Sequence, residues 1–432
     1  MKSSGNHKLF SWLPQLGHQV WILATGRLLS QIGTGFTLFY APIFFVNQVG
    51  LSATAVGIAL GSGSITGVVG RFLGGSFADS KFWGRRRTLL LSAAISAVAS
   101  VILALSFNFP TFIIGNLLMG LGVGLYWPAT EAAVADLTTI EQRNEAFAIT
   151  RLADSFGLGM GVVLGGALVA TTGNYRALFV IDGISFVVFF AVVYAAITET
   201  RKFNEHHPKP VGNGWAAALS DRRLMVYVLV NILFTTYLAQ VDSTIPLYFT
   251  NFVAGGTAKG GFSLRVISGL FTWHVAFAAL CQLPVARALN RFSRPLALTI
   301  SMLLWGAGFV LIWVTGVASR GHIIWAILAL GVLAIATVTY TPSASSLVVE
   351  LAPESLRGVY LSINSQCWAI GYFIGPPLGG WVLDQSQAVS EAMPKGLIAH
   401  SFWLAAALSI IIGVAILQYL NRIWNQKKAQ TH

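Results

Sequence analysis

The strongest chemical signal in this sequence is a set of ionisable residues inside long apolar stretches. Five of them fall at similar distances from the ends of their stretches: Arg27, Arg71, Glu131, Arg151 and Asp154. Charged side chains are costly among lipid chains, so residues in such positions pair with one another or serve a function. We expect the five to form one polar network whose excess positive charge faces a cavity. The alternative is a purely structural set of buried ion pairs.

A sixth intramembrane ionisable residue, the acid Asp242, has no basic residue near it in the sequence. Because desolvation disfavours the charged form of a carboxyl group, Asp242 is our first candidate for a proton or cation site. The alternative is a structural acid held by hydrogen bonds. Asp182 lies near the end of its apolar stretch, and we interpret it as local support.

Histidine titrates near neutral pH, so His274 is a candidate proton relay, although a lone helical histidine is more often a structural hydrogen-bonding group. The candidates for proton coupling are therefore Asp242, Asp154, Glu131 and His274.

The composition indicates which elements position these residues. Of the 432 residues, 55% are hydrophobic and only 10% are charged, whereas a soluble chain carries about 25% charged residues. A helix that spans a membrane needs about 20 mainly apolar residues, and the chain contains twelve such runs, six on each side of its longest polar connection. We predict an amino-terminal six-helix bundle over 1–199, a cytoplasmic linker over 200–223 and a carboxyl-terminal six-helix bundle over 224–432.

The basic residues predict the orientation of these helices. Most of the 27 lysines and arginines fall in connections on one side of the predicted membrane, which is the side that also holds both termini. Cytoplasmic loops are enriched in Lys and Arg, so we expect both termini in the cytoplasm and the chain in a plasma membrane or a bacterial inner membrane. The same enrichment explains the net charge of +12 without a nucleic-acid partner.

The two halves repeat one pattern at a constant offset of 214 residues. The matched positions are Pro128 with Pro342, Asp136 with Glu350, Arg143 with Arg357, and Gly157, Gly161, Gly165 and Gly166 with Gly371, Gly375, Gly379 and Gly380. A repeat of this kind predicts two bundles related by a pseudo-two-fold axis. Glycines four residues apart share a helix face and let a neighbouring backbone approach. Their contact is either a fixed helix packing or a sliding seam between the halves.

Several motifs resemble those of the major facilitator superfamily, whose fold is all-α. Gly75-x-x-x-Asp79 followed by Gly84-Arg85-Arg86 is similar to the signature loop of that family. Gly157 to Gly166 is similar to its antiporter motif, and the later copy, Gly371 to Gly380, also has the proline of that motif, Pro376. The chain most resembles the branch of twelve-helix drug:proton antiporters.

The resemblance implies roles for two further groups of residues. An inner gate would be latched by Asp79, Arg85, Arg86 and Asp136, with Glu350, Arg357 and either Arg291 or Arg294 as counterparts in the second half. The substrate cavity would be lined by Arg27, Gln31, Tyr40, Tyr126, Trp127, Arg151, Tyr237, Gln240 and Tyr340. Aromatic side chains with a few polar groups suit an amphipathic organic ligand.

We therefore predict a secondary active transporter, not an enzyme, that moves a small organic solute by alternating access, with proton-coupled efflux favoured. The alternatives are a proton-coupled uptake symporter for an anionic metabolite, a lipid flippase and a membrane receptor that does not transport. The sequence has no phosphate-binding Gly-x-x-x-x-Gly-Lys-Ser/Thr loop, so we expect no ATP. We also expect no cofactor and no metal, and we expect the proton gradient to be the energy source. The expected partners are the lipid bilayer and the small-molecule substrate, and the protein is expected to be a monomer.

Overall fold

The computed structural model describes residues 16–80, 82–200, 214–254, 261–289, 291–353, 356–388 and 396–430, and the regular structure in these ranges is helical. The helices in chain order are α1 (His18–Leu38), α2 (Tyr40–Asn47), α3 (Ala53–Asp79), α4 (Gly84–Ala104), α5 (Phe109–Asp136), α6 (Ile140–Thr172), α7 (Arg176–Ala196), α8 (Gly214–Ser220), α9 (Arg222–Asn251), α10 (Leu264–Leu289), α11 (Arg294–Val317), α12 (His322–Leu351), α13 (Arg357–Ala388) and α14 (Leu397–Gln430). The side chains of Asp79, Arg143, Arg151 and Arg357 lie outside the described part of the chain, so their predicted roles stay predictions.

The helices account for the apolar runs of the sequence. Helices α1 and α2 form one crossing with a turn at Phe39, and eleven segments among the described residues are long and apolar enough to span a membrane. Helix α13 is as long as these, but polar residues such as Asn364 and Gln366 make it less apolar. Eleven of the twelve crossings that we predicted are therefore supported, and α13 is the candidate for the twelfth. Part of the predicted linker, 201–213, lies outside the described residues, and its later part contains the short helix α8.

Polar residues at the turns determine where several helices begin. The side chain of Ser52 accepts a hydrogen bond from the backbone N–H of Ala55 at the start of α3, at 3.1 Å. Asn108 does the same for Thr111 at the start of α5, also at 3.1 Å. These side chains satisfy N–H groups that have no partner inside the helix, and each turn therefore stops one crossing and begins the next.

The same packing pattern occurs in both halves. In the first, α1 packs against α6 and α7, α3 against α5, and α4 against α5 and α7. In the second, α9 packs against α13 and α14, α10 against α12, and α11 against α12 and α14. The two patterns correspond helix for helix, as the repeat in the sequence predicts. The bundles meet along two seams, α3 with α13 and α6 with α10.

Hydrogen bonds to a single carboxylate join the two bundles at one end of the molecule. We call the end with the Arg85–Asp136 and Arg294–Glu350 pairs the basic end, and the other the opposite end. At the opposite end, the Asp384 carboxylate of α13 accepts hydrogen bonds from the backbone N–H groups of Ala53 and Thr54, at 2.8 and 2.7 Å. These groups begin α3, so Asp384 caps a helix of the other bundle. A ring contact between the bundles, Phe39 with Phe271 at 4.4 Å, lies beside the second seam.

The repeated glycines pack mainly within their own bundles, which corrects the idea of a sliding seam between halves. Gly157, Gly161 and Gly165 face α1, where a Cβ on Gly161 would overlap the carbonyl oxygen of Ile32. Their counterparts Gly371, Gly375 and Gly379 face α9 in the same way.

Only the fourth glycine of each copy reaches the other bundle. Gly166 lies against Ser268 of α10, and Gly380 lies against the backbone of Ala53 in α3. The reason is helix geometry, because adjacent residues of an α-helix point about 100° apart. The fourth glycine directly follows the third and therefore faces a different neighbour.

Candidate functional site

A cavity of about 270 Å³ lies between the bundles and is the candidate substrate site. Its aromatic wall comes from the first bundle and consists of Tyr126, Trp127, Phe186 and Phe189. Small polar side chains of the same bundle line it as well: Ser30, Gln31, Thr34, Ser92 and Ser96. The second bundle contributes Asp242 from α9 and Tyr372 from α13. Aromatic surface with a few polar groups is the composition that binds amphipathic organic molecules.

Asp242 contributes a carboxylate to this cavity. The hydroxyl of Tyr372 donates a hydrogen bond to Oδ2 of Asp242 at 2.6 Å. Among the described residues, no basic side chain lies within salt-bridge distance of Asp242. The sequence indicated an isolated acid, and the structure places it in the cavity with one neutral partner. Such a carboxyl group can take up either a proton or a cationic ligand.

Arg27 and Asp154 form a buried ion pair next to the aromatic wall. Nε of Arg27 donates to Oδ1 of Asp154 at 2.9 Å, and a second guanidinium nitrogen bonds the other carboxylate oxygen. The guanidinium also lies 5.6 Å from the ring centre of Tyr126 and 5.2 Å from that of Trp127. The Asp154 carboxylate and the two ring faces both stabilise the buried guanidinium of Arg27.

Four of the five predicted intramembrane charges are brought into one network. Glu131 interacts electrostatically with both Arg27 and Arg71, and Arg71 extends across the seam to donate to Oγ of Ser365 in α13 at 2.5 Å. Neither Arg27 nor Arg71 lines the cavity. The side chain of Arg151 lies outside the described residues, so the expected excess of positive charge stays a prediction. Arg27 is only 1% exposed, because Asp154 and the two rings enclose it, and Arg71 points to the other bundle.

Four residues that we predicted to line the cavity are buried elsewhere. Tyr40 donates a hydrogen bond to the carbonyl of Val162 at 2.9 Å, and Gln240 donates to the carbonyl of Gly375 at 2.8 Å. The hydroxyl of Tyr237 is hydrogen-bonded to Ser409 at 2.6 Å, and that of Tyr340 to Asn231 at 2.6 Å. Tyr237 and Gln240 are on α9, which reaches the cavity at Asp242, but their side chains turn toward neighbouring helices. Tyr40 on α2 and Tyr340 on α12 belong to helices that supply none of the described lining residues. Gln31, Tyr126 and Trp127 do line the cavity.

The second bundle contains a polar network that the sequence analysis missed. Asn364 Oδ1 accepts hydrogen bonds from Tyr227 at 2.6 Å and from Asn231 at 2.9 Å. Tyr340 donates in turn to Oδ1 of Asn231 at 2.6 Å. The network joins α9, α12 and α13, and its members satisfy one another, as buried polar groups must. Its signal in the sequence is the four-residue spacing of Tyr227 and Asn231, which places both on one face of α9.

His274 is held by a backbone contact and does not line the cavity. Its Nδ1 lies 2.9 Å from the carbonyl oxygen of Leu330 in α12. Because a carbonyl can only accept, Nδ1 carries the proton in this contact. The neighbouring Trp273 donates to the carbonyl of Ile327 at 3.0 Å, one turn earlier in α12. Together the two side chains fasten α10 to α12, which favours the structural interpretation of His274.

The charged cluster at the basic end ties helices of one bundle. Arg85 of α4 donates from Nε to Oδ2 of Asp136, at the end of α5, at 3.2 Å. The backbone N–H groups of Arg85 and Arg86 donate to the Glu199 carboxylate at 2.9 and 3.2 Å. A carboxylate at a helix N-terminus satisfies free N–H groups and interacts favourably with the helix dipole. Glu199 was not among the predicted residues, because its partners lie more than 100 residues away in the chain.

The other described residues of the predicted gate also lie at or near the basic end and have their contacts within one bundle. Gly84 begins α4 with a φ of +78°, a conformation that favours glycine, and a Cβ there would overlap Glu199. Gly75 faces open space. In the second bundle Arg294 rather than Arg291 pairs with Glu350, at 3.1 Å. In the described residues these pairs join helices within a bundle, and the predicted latch between bundles stays a prediction.

Comparison with known proteins agrees with this architecture. The model of the Major Facilitator Superfamily matches residues 23–264 and 257–431. The chain is 25% identical over 418 residues to a protein named multidrug resistance protein MdtH from Photorhabdus laumondii, covering 95% of this chain and 96% of that one. It is 26% identical over 373 residues to a protein named Na(+), Li(+), K(+)/H(+) antiporter from Planococcus maritimus, covering 79% and 85%.

Solved structures share the fold. The crystal structure of the nucleoside transporter NupG superposes with a TM-score of 0.77 at 14% identity, covering 94% of this chain and 99% of that chain. A D-xylose–proton symporter superposes with a TM-score of 0.70 at 18% identity, covering 91% and 96%. With the family model matched along nearly the whole chain, the protein belongs to the Major Facilitator Superfamily and resembles its drug:proton antiporters.

Proposed function

We propose that this transporter exports an organic cation in exchange for protons, and that Asp242 is the group for which the two compete. Membership of the superfamily makes the chain an integral multi-pass membrane transporter rather than an enzyme. The relatives named for multidrug resistance and for cation/proton antiport support a cationic substrate and a proton as the counter-ion.

The observation that carries the proposal is the carboxyl group of Asp242 in an aromatic cavity. Tyr372 is its hydrogen-bond partner, and no basic side chain among the described residues neutralises it. The rings of Tyr126, Trp127, Phe186 and Phe189 line the same cavity. A lipophilic cation binds well between a carboxylate and aromatic faces, because both attract positive charge and the rings also bury its apolar surface.

An anionic substrate fits the same cavity poorly. The symporter alternative depended on free positive charge in the first bundle. Arg27 is instead paired with Asp154 and covered by aromatic rings. The cavity lining contains an acid and no basic residue among its described members, so an anion would meet the wrong sign of charge.

Competition for one carboxyl group is sufficient for exchange. A protonated Asp242 has no charge to attract the cation, and a bound cation excludes the proton. If each bundle rearrangement requires that Asp242 be neutralised by one or the other, cation movement in one direction drives proton movement in the other. In this structure the bundles are held together at the opposite end. With the basic end in the cytoplasm, this contact would close the outer side of the molecule.

The proposal also covers the orientation, the membrane, the oligomeric state and the energy source of the protein. We propose that both termini are cytoplasmic, that the membrane is a bacterial inner membrane, and that the protein acts as a monomer without a cofactor, driven by the proton gradient. The excess of basic residues in one set of connections supports the orientation.

The proposal is tested by proton flux in proteoliposomes that contain the purified protein and a pH-sensitive dye. The panel consists of lipophilic cations, organic anions, and sodium, lithium and potassium salts. Wild type is compared with Asp242→Asn and with Glu205→Gln, which removes one negative charge from the predicted linker.

We expect lipophilic cations to drive proton movement in wild type and in Glu205→Gln, and Asp242→Asn to abolish it. Proton movement driven by anions alone would contradict the proposal. Proton movement driven by the inorganic cations alone would support cation/proton exchange and would exclude an organic cation as the substrate.

A further inference from the structure

A second carboxyl group, Asp182 of α7, is more deeply buried than Asp242 and lies outside the cavity lining. It is 1% exposed and lies between α7, α4 and α1. The hydroxyl of Ser100 in α4 donates to Oδ2 of Asp182 at 2.9 Å. Among the described residues, Oδ1 has no hydrogen-bond partner. It lies against Gly33 of α1, where a side chain would overlap it.

We had interpreted Asp182 as local support near the end of a helix, and its surroundings argue otherwise. A structural acid in an apolar interior normally has several donors or a basic partner. Asp182 has one neutral donor, and one of its oxygens is unpartnered. An ionised carboxylate is costly at this place, so burial favours the protonated form of Asp182.

The Ser100 hydroxyl is placed to serve both protonation states. Its oxygen lies 2.9 Å from Oδ2 of Asp182 and 3.1 Å from the carbonyl oxygen of Ser96. With Asp182 ionised, Ser100 donates to the carboxylate. With Asp182 protonated, the acid donates to Ser100, and Ser100 donates to the Ser96 carbonyl. Each state keeps a continuous set of hydrogen bonds, which is what a reversible proton site requires.

The central cavity begins one helix turn away. Ser96, one turn from Ser100 on α4, lines the cavity, and its hydroxyl has no hydrogen-bond partner among the described residues. Phe186, one turn from Asp182 on α7, lines the cavity too. One turn is about 5.4 Å, so Asp182 lies just beyond the cavity wall, on the side of the closed opposite end.

No other charged group faces Asp182 from the helices packed around it. On α1 the nearest is Arg27, six residues from Gly33 or about 9 Å along the helix, and it is paired with Asp154. On α4 the charged residues are at the start of the helix, around Arg85. On α7 itself Arg176 bonds the carbonyl of Ser106 at 3.1 Å, away from the acid.

We infer that Asp182 is a second proton-binding site, in the first bundle, which exchanges its proton with water in the central cavity. The proton leaves the carboxyl group past Ser100 and Ser96, and it returns by the same route. The site goes beyond the proposed exchange at Asp242, because it binds a proton without contacting the substrate. Its position toward the closed end makes proton occupancy there sensitive to which end of the transporter is open.

Infrared difference spectroscopy on the purified protein tests this site without any substrate or transport, so its outcome is independent of the proposed function. Spectra are recorded between acidic and alkaline pH, in the carbonyl stretching region of protonated carboxylic acids. We expect wild type to show a pH-dependent band that is absent from Asp182→Asn and present in Asp242→Asn. Difference spectra in which Asp182→Asn equals wild type would overturn the inference.

A second variant covers the case in which Asp182→Asn does not fold, as judged by size-exclusion chromatography. Ser100→Ala keeps the acid and removes its hydrogen-bond partner, so the band should shift to higher frequency. Thr88→Ala is the matched control, because it removes a buried hydroxyl of the same helix that bonds only the carbonyl of Gly84. A Ser100→Ala spectrum identical to wild type would overturn the inference as well.

Discussion

Asp154 and Asp242 are both carboxylates inside the membrane-spanning part of the chain, and their partners differ in charge. Asp154 has the guanidinium of Arg27, whereas Asp242 has a tyrosine hydroxyl. The charge of a paired acid is neutralised by its partner, so such an acid can have a purely structural role. An acid with a neutral partner has to be neutralised by something that binds, and this difference is the basis for assigning exchange to Asp242.

The buried pair leads to a prediction about stability. Arg27→Ala leaves Asp154 as an uncompensated buried charge, so we expect it to destabilise the protein by about 3–5 kcal/mol. Arg294→Ala is the matched control, because it breaks an exposed pair with Glu350, and exposed pairs contribute about 0–1 kcal/mol. Thermal unfolding in detergent should show a large loss of melting temperature for the first variant and little for the second. Equal losses would show that Arg27 and Asp154 do not interact as described.

At the scale of helices, the glycine faces determine how closely α6 and α13 approach their neighbours. Gly161 contacts the backbone of α1 at Ile32 and Gly35, and no other residue type leaves room for that contact. The tight packing is the same in the second bundle, which explains why the glycines are repeated with the fold. In the proposed alternating access, the movement would take place along the seams, where each copy contributes only its fourth glycine.

We predict that Gly161→Ala separates α1 from α6 and destabilises the protein by about 1–3 kcal/mol, the usual cost of overpacking. The control is Gly269→Ala in α10, because a Cβ there meets open space and alanine favours the helix. Melting temperatures of the two variants in the same detergent should move in opposite directions. An unchanged value for Gly161→Ala would contradict the close helix approach.

The cap from Asp384 to α3 is the clearest polar contact between the bundles at the opposite end. Hydrogen bonds to charged groups contribute about 1.5–3 kcal/mol, so Asp384→Asn should shift the population toward states open at that end. Spin labels at Gln48 and Gln387, both exposed near this contact, measure the separation. We expect a longer component in the distance distribution of Asp384→Asn and none in Gln385→Ala. Identical distributions would show that the cap does not hold this end closed.

At the scale of the whole molecule, the sequence predicted what depends on length and repetition. Apolar runs of sufficient length can only be crossings, and a constant offset of 214 residues requires two equivalent halves. The motifs around Gly84 and Gly157 predicted the family, which the family model confirms. The apolar runs, the repeat and the motifs can be recognised without knowing how each helix is rotated about its axis, because they are local in the chain or repeated in it.

The sequence did not predict which face of a helix meets the cavity. Tyr237 and Asp242 are on the same helix, yet one turns toward α14 and the other toward the cavity. Glu199 and Asp384 were missed because they cap helices that are remote in the chain. The rotation of a helix about its axis, and the capping of a helix by a remote residue, both result from packing between distant segments. The amino-acid pattern of a single segment does not predict them.

Competition between a cation and a proton for Asp242 is the central feature of the proposed transport. The direct measurement is proton release when a lipophilic cation is added to the purified protein in weakly buffered detergent solution, followed with a pH dye. We predict that wild type releases protons in proportion to the cation bound, that the amount falls as the starting pH rises, and that Asp242→Asn releases none. Cation binding to wild type without proton release, or equal release from Asp242→Asn, would contradict the account.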